Sequence, residues 1–333
     1  MATLREVAQA ARVSEMTVSK LLSGRSNPRR PDAVVRANRV YKAAAQLGYK
    51  LNMAARATRT GRFGAITLLV PLRRQAGIVF DPALRGLSES VESHGLRLGV
   101  ATYDEEQLVD PAVVPQILTQ HHSDGLILNF YAPAPPRMVE LIRNYAVPAI
   151  WLNTKHDCDC VRPDDRSAGR DATRRLLEAG HRRIAFANLQ GTSHYSMTER
   201  AAGYSRAMTE AGLQPLVYEP PLSPQYMRFF IPFLREQLAR PDRPTAVVAY
   251  SEGQVQFVAQ AAALCGIGMP DGLQVTGFSD NKMVGNGFMY DTYLVPTRQT
   301  ARRAGELLLK KIAEPTLRFE PQLVPFAFEP GGS

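Results

Sequence analysis

Cysteine is scarce in this chain of 333 residues, which contains only Cys158, Cys160 and Cys265. Three cysteines are too few, and odd in number, for the disulfide framework of a secreted protein. No run of eighteen apolar residues occurs, so the sequence predicts no transmembrane helix. The first residues also lack the apolar core of a signal peptide. We therefore expect a cytoplasmic protein with reduced thiols.

The sequence motifs of common enzyme classes are missing as well. There is no Gly-x-Ser-x-Gly elbow, no glycine-rich phosphate loop and no His-Glu-x-x-His pair. Residues 156–160, His-Asp-Cys-Asp-Cys, carry side chains that suit zinc, but Cys-x-Cys alone cannot supply a tetrahedral site. We favour a loop over a metal site here. We expect no catalytic residues, no metal and no cofactor.

Positive charge is concentrated near the beginning of the chain. Residues 1–62 contain thirteen Lys and Arg and three acids, a net charge of 13 − 3 = +10, whereas the remaining residues contain 27 basic and 28 acidic groups, a net charge of −1. A basic arm on a nearly neutral body is typical of a module that binds nucleic acid phosphates. A solvated basic surface without a partner is the alternative.

The basic segment has the pattern of three short helices. Thr3 and Glu6 predict a capping box, Ser14 is a second N-cap candidate, and Pro31 suits the first turn of a third helix. Two short helices joined by a tight turn predict a helix-turn-helix unit, whose second helix, residues 15–22, enters the major groove of DNA. A helical bundle that binds protein is the alternative. The predicted exposed face comprises Glu15, Met16, Thr17, Ser19 and Lys20.

From residue 64 onward, strands and helices alternate in two successive series. This pattern predicts two doubly wound parallel-sheet lobes, like those of periplasmic binding proteins, with a ligand at the carboxyl ends of the strands. A transport protein with this architecture would need an export signal and no basic arm, and an enzyme would need catalytic groups. The predicted strands are residues 65–70, 97–101, 125–128, 149–152, 183–187, 246–249 and 274–278.

Three parts are therefore expected. Residues 1–48 form an all-α helix-turn-helix DNA-binding headpiece, and residues 63–333 form a two-lobed effector-binding domain. Residues 49–62 between them form a hinge helix or linker. Such a short helix is marginal in water, so we expect a bound partner to complete it.

Five groups of residues form motifs in a fixed order along the chain. They are Thr3–Ala8 with Ala11–Gly24, Leu47–Tyr49 with Asn52, Gly180–Ala185, Arg200–Tyr204 and Thr276–Asp280. Together they resemble the LacI/GalR family of transcriptional regulators over nearly the whole chain, with its gluconate-repressor-like branch as a candidate subgroup. The resemblance implies a repressor that forms a homodimer and binds a palindromic double-stranded operator. It also implies that a small effector in the cleft changes operator affinity.

The resemblance implies a set of DNA-contacting positions. Glu15 and Met16 occupy the variable pair that sets specificity, and Glu can accept from cytosine N4 while Met can touch a thymine methyl group. Two positions depart from the family: Leu51 stands in place of a proline, and Thr58 in place of the leucine that wedges between base pairs. The candidate DNA-binding residues are Leu4, Arg5, Ser14, Glu15, Met16, Thr17, Ser19, Lys20, Asn27, Asn52, Ala55, Thr58 and Arg59.

The resemblance also implies an effector cleft. Acids used by sugar-binding relatives are replaced at Asn153, Ser251 and Ser279, whereas Arg200 is kept, and arginine pairs well with carboxylate or phosphate. This favours an anionic carbohydrate, with a neutral sugar bound through its hydroxyls as the alternative. The candidate effector-binding residues are Phe80, Trp151, Asn153, Asp164, His194, Ser196, Arg200, Tyr250, Ser279 and Asp280.

Overall fold

The computed structural model describes residues 2–22, 26, 28–49, 61–71, 80–104, 115, 118, 123–130, 135–189, 194–219, 229–281 and 290–331. The chain forms two compact units, residues 1–64 and residues 65–333. Most of the predicted hinge lies outside the described residues. None of the described helices is long and apolar enough to cross a membrane.

The first unit consists of three helices, α1 (Leu4–Ala11), α2 (Glu15–Leu22) and α3 (Pro31–Gln46). The predicted capping box is confirmed, because the Thr3 amide donates to Glu6 and the Glu6 amide donates to the Thr3 hydroxyl. Arg12 adopts a left-handed conformation (φ 53°), which ends α1 and allows a tight turn into α2. The core of this unit is made of Val7, Ala8, Ala11, Val18, Leu21, Ala37, Val40, Ala43 and Ala44.

The second unit contains two six-stranded sheets, which confirms the predicted pair of doubly wound lobes. The sheet of lobe 1 has the order β2-β1-β3-β4-β5-β11, and its pairings are parallel. Its strands are β1 (Ala65–Pro71), β2 (Arg97–Tyr103), β3 (Gly125–Asn129), β4 (Ala149–Leu152), β5 (Cys160–Pro163) and β11 (Gln322–Val324).

The sheet of lobe 2 has the order β7-β6-β8-β9-β10-β12, and only the β10–β12 pairing is antiparallel. Parallel strands buried on both faces read as short apolar runs, and this is why most of them were predictable. The strands are β6 (Ile184–Ala187), β7 (Leu216–Tyr218), β8 (Ala246–Ala249), β9 (Gln274–Ser279), β10 (Asp291–Leu294) and β12 (Ala327–Glu329).

Helices cover both sheets. Lobe 1 carries α4 (Phe80–Glu92), α5 (Pro136–Asn144) and α10 (Thr297–Ala313). Lobe 2 carries α6 (Asp165–Glu178), α7 (Tyr195–Glu210), α8 (Phe230–Leu238) and α9 (Glu252–Leu264). The chain therefore passes between the lobes three times: from β5 to α6, from β10 to α10, and from β11 to β12.

Helices α6 and α7 of lobe 2 touch backbone to backbone. A Cβ atom on Gly169 would lie 2.2 Å from the carbonyl oxygen of Arg200, and one on Gly203 would lie 2.1 Å from that of Arg166. Both distances are far below van der Waals contact, so only glycine fits at these two positions. The contact fixes the beginning of α6 beside the first turns of α7.

We predict that Gly169→Ala and Gly203→Ala each lower the free energy of unfolding by roughly 1–3 kcal/mol, because the added methyl group must push the two helices apart. Gly253→Ala in α9 is the matched control. A Cβ there meets nothing within 4 Å, so that variant should be neutral or gain about 0.4–1 kcal/mol. Urea unfolding followed by circular dichroism measures the difference. Equal stability of Gly169→Ala and Gly253→Ala would contradict the close helix contact.

Candidate DNA-binding surface and effector site

The outer face of α2 presents a mixed polar and apolar surface. Glu15, Met16 and Lys20 are exposed, with Met16 showing 66% of its surface, while Val18 and Leu21 are buried. Helical spacing therefore separates a core face from an exposed face along only two turns. A carboxylate, a thioether and an ammonium side by side are able to contact base edges and phosphates.

The other predicted DNA-binding positions in the first unit differ in accessibility. Arg5 is exposed, and Leu4 packs partly against the headpiece core. The hydroxyl of Ser14 accepts the Thr17 amide at 3.2 Å and lies 2.9 Å from the Thr17 hydroxyl, so it caps α2. Thr17 and Ser19 are half-buried. The predicted residues Asn27, Asn52, Ala55, Thr58 and Arg59 lie outside the described residues.

Arg200 is the centre of the polar cluster in lobe 2. Its Nε donates to Asp165 Oδ1 at 2.7 Å and its Nη1 donates to the Tyr250 carbonyl at 2.6 Å. The guanidinium lies 4.4 Å from the ring centroid of Phe278 and 4.8 Å from that of Tyr250. Only 7% of the Arg200 side chain and 1% of the Asp165 side chain are exposed. The charge of Arg200 is therefore already balanced by a carboxylate of the protein.

Two adjacent acids at the beginning of α6 have different roles. Asp164, the sequence candidate, is the N-cap, and its Oδ1 accepts the Ser167 amide at 3.2 Å. Asp165, which sequence analysis did not single out, is the partner of Arg200. Its second oxygen, Oδ2, is buried without a hydrogen-bond partner within the described parts of the chain. Buried carboxylate oxygens are rarely left without a donor, so Oδ2 has unused capacity to accept a hydrogen bond.

A directed chain of hydrogen bonds connects the two lobes. His194 Nε2 lies 3.1 Å from the backbone oxygen of Asn153, which can only accept, so Nε2 carries the proton. His194 Nδ1 then accepts from the Ser196 hydroxyl at 2.6 Å. That hydroxyl lies 2.7 Å from the hydroxyl of Tyr250, which donates to it. Four predicted effector residues are thus brought together in one chain.

Further contacts cross the lobe interface at the end of β4. Asn153 adopts a left-handed conformation (φ 52°), and its Oδ1 accepts from the Tyr195 hydroxyl at 3.0 Å. Lys155 forms an ion pair with Glu199 at 2.7 Å. Burial raises the pKa of Glu199, but Lys155 and Arg166 together bring it below its usual value. Glu199 therefore stays ionised at neutral pH and holds Lys155 across the interface.

The remaining lobe-1 candidates do not join this cluster among the described contacts. The Trp151 side chain is 3% exposed and packs in the core of lobe 1, stacked on the His156 ring at 5.1 Å. Strand alternation explains this, since Trp151 points to the same face of β4 as Ala149. Phe80 begins α4, and its side chain lies outside the described part of the structure.

Two carboxylates line lobe 2 near the ends of β8 and β9. Glu252 accepts from the Ser279 hydroxyl at 2.9 Å, and Asp280 accepts from the Thr297 hydroxyl. Burial raises the pKa of Asp280, Glu252 raises it further, and Thr297 and Arg200 act in the opposite direction. Sequence analysis missed Glu252, although its position as the first helical residue after a buried strand could have indicated it.

Residues 156–160 do not form a metal site among the described residues, where no group of three or more His, Cys, Asp or Glu side chains could hold an ion. The Cys160 thiol donates to the His156 backbone oxygen at 3.1 Å, and burial raises the pKa of that thiol. A protonated, buried thiol is a poor metal ligand. The segment therefore acts as the turn between β4 and β5.

Comparison with known proteins shows which proteins this chain is similar to. Residues 173–333 match the family model described as a periplasmic binding protein-like domain. The ribose operon repressor of Escherichia coli (strain K12) is 27% identical over 343 residues and covers 100% of both chains. The HTH-type transcriptional regulator AglR of Rhizobium meliloti (strain 1021) is 27% identical over 93% of this chain and 86% of its own.

The fold agrees with these relatives. The crystal structure of the Lac repressor bound to ONPG in the repressed state has a TM-score of 0.77 and 20% identity, with 99% of this chain and 98% of the other covered. The curated relatives are transcriptional regulators, not enzymes, and they match the chain across both of its units. The chain is therefore similar, across both of its units, to transcriptional regulators of the LacI family, and it shares their fold.

Proposed function

We propose that this regulator is a cytoplasmic repressor that binds a palindromic operator as a homodimer and responds to a carbohydrate bound between its two lobes. The exposed face of α2 on the strongly basic first unit is the observation that carries the DNA-binding part. Two headpieces are needed to read two half-sites, which supports a dimer.

The composition of the lobe interface supports a carbohydrate as the effector. Sugar hydroxyls both donate and accept, and here Asp165, Glu252 and Asp280 supply acceptors while Arg200 supplies donors. The name of the ribose operon repressor points to the same ligand class.

The contacts between the lobes give the effector a means of control. Asn153 holds His194 and Tyr195 across the interface, so a ligand that enters there must compete with these hydrogen bonds or add to them. Either change alters how the lobes pack on each other. In a dimer, this would change the spacing of the two headpieces and with it the operator affinity.

The salt dependence of operator binding tests the electrostatic part. We expect the logarithm of the association constant to fall linearly with log salt, with a slope of about −0.9 per phosphate contact. Lys20→Gln should reduce the slope by about 1 if Lys20 contacts a phosphate. Arg240→Gln, which removes an exposed cation of the second unit, is the control and should leave the slope unchanged. Fluorescence anisotropy measures operator binding by the original chain and by both variants. Salt-independent binding by the original chain would contradict the proposal.

Exchanging the two specificity residues tests the position of the recognition helix. The double variant Glu15→Met/Met16→Glu should prefer different operators while its affinity for nonspecific DNA stays similar, because base-edge contacts change and phosphate contacts do not. Selection from a randomised operator library shows the preference. The double variant selecting the same operator as the original chain would show that α2 does not read the bases.

Reciprocal coupling tests the effector part. A carbohydrate that binds the folded chain should raise its melting temperature and change operator affinity by some factor. By linkage, the operator must change the affinity for that carbohydrate by the same factor. Calorimetry with and without operator measures the second factor. A sugar that stabilises the chain but leaves operator affinity unchanged would argue against control through this cleft.

A further inference from the structure

Arg162 lies at the lobe interface and forms no ion pair with a carboxylate among the described residues. It is the third of the four residues of β5 in lobe 1. Its guanidinium carbon lies 5.2 Å from the ring centroid of Tyr195 in lobe 2. The side chain is half-buried, and its Nε is buried with no hydrogen bond from the described part of the chain. The neighbouring cations differ: Lys155 and Arg166 pair with Glu199.

The surroundings of Arg162 do not compensate its charge. Helix α6 begins at Asp165 and α7 begins at Tyr195, so two helix N-termini, which carry partial positive charge, lie close to this arginine. Asp165, at the beginning of the same helix α6, is engaged with Arg200. Burying part of an unpaired guanidinium costs free energy, so an anionic group that binds Arg162 would offset this cost.

The stacking geometry leaves the donors of Arg162 available. A guanidinium over an aromatic ring uses its face, whereas its N–H groups point outward along the edge. The same Tyr195 donates its hydroxyl to Asn153, so ring and arginine are held at the junction of the two lobes. This edge can form a paired hydrogen bond with the two oxygens of one anionic group.

Resting on the proposed function, we propose that Arg162 determines the specificity of the cleft for a carbohydrate that carries an anionic group, either a carboxylate or a phosphate. The anionic group binds the edge of Arg162. The hydroxyls are directed towards Glu252 and Asp280, where a second negative charge would be repelled. Arg200, already paired with Asp165, contributes donors to hydroxyls and is not the anchor for the negative charge.

The test uses the full chain and matched sets of probes: D-glucose, D-gluconate and D-glucose 6-phosphate, and D-ribose, D-ribonate and D-ribose 5-phosphate. Thermal shift and calorimetry give affinities, and anisotropy gives the effect on operator binding. We expect an anionic member of one set to bind at least about tenfold more tightly than its neutral parent, as two charge-assisted hydrogen bonds would give. Whether the sugar acid or the sugar phosphate binds more tightly shows whether the anionic group is a carboxylate or a phosphate.

Substitutions at Arg162 test whether this residue causes the preference for the anionic carbohydrate over its neutral parent. Arg162→Gln should remove the roughly tenfold preference and leave the weak affinity for the neutral sugar nearly unchanged, and Arg162→Lys should keep only part of it. Arg166→Gln is the matched control. It removes an equally charged side chain that is 58% exposed and paired with Glu199, so it should keep the full preference.

The outcomes distinguish a failure of the inference about Arg162 from a failure of the proposed function. If a neutral sugar binds as tightly as its anionic counterparts and controls operator binding, the inference about Arg162 is overturned while the proposed function stands. If no probe of either kind binds a chain that binds its operator, the carbohydrate part of the proposed function fails as well. If Arg162→Gln loses its cooperative melting transition, the affinity ratio of the original chain and the partial loss in Arg162→Lys decide the matter.

Discussion

The contact between α6 and α7 is the constraint on which the effector site depends. Because Gly169 and Gly203 allow the two backbones to touch, the carbonyl of Arg200 lies against α6 and the carbonyl of Arg166 against α7. Asp165 is one helical turn before Gly169, and so it reaches the Arg200 side chain with a buried, short ion pair. Larger residues at the glycine positions would move both partners, and a buried charge that loses its partner is costly.

The same arrangement explains how a ligand could change the relation of the lobes. The polar groups from lobe 2 that face Asn153 are carried on the first turn of α7, whose position is fixed by the glycine contact. The donors of His194 and Tyr195 on lobe 2 and their acceptors on Asn153 of lobe 1 are each held in one position. Close-packed groups of this kind favour two discrete arrangements of the lobes over a continuous range of lobe positions. The hydrogen bonds from Tyr250 to Ser196 and from Ser196 to His194 also fix the tautomer of His194. This restricts further how the two lobes can pack on each other.

Much of the architecture was predictable because buried parallel strands and helix caps have local signatures. The strand 149–152 and the strand 246–249 were predicted with their observed bounds. Helix α10 was missed, since its buried residues are interrupted by Arg302, Arg303 and two lysines. Strand β5 was missed because Arg162 interrupts its short apolar run and the strand ends in proline.

The site was less predictable than the fold, because it depends on which neighbour of a pair points inward. Asp164 and Asp165 are adjacent in sequence, and the backbone at the beginning of α6 decides that the first caps and the second pairs. Trp151 and Asn153 are two residues apart, yet the end of the strand sends only Asn153 to the interface. Such differences follow from local dihedral angles, which residue types alone do not determine.

The three passages between the lobes have a consequence for synthesis on the ribosome. Lobe 2 takes all but its edge strand from one continuous stretch, residues 164–295, whereas the core of lobe 1 joins Ile66, Leu68 and Leu87 to Leu307 and Leu308 of α10. The apolar face of lobe 1 is therefore covered only in part, by α4, until more than two hundred further residues have been made. Lobe 2 can complete its core first, and the earliest part of the second unit to be translated is the last to be enclosed.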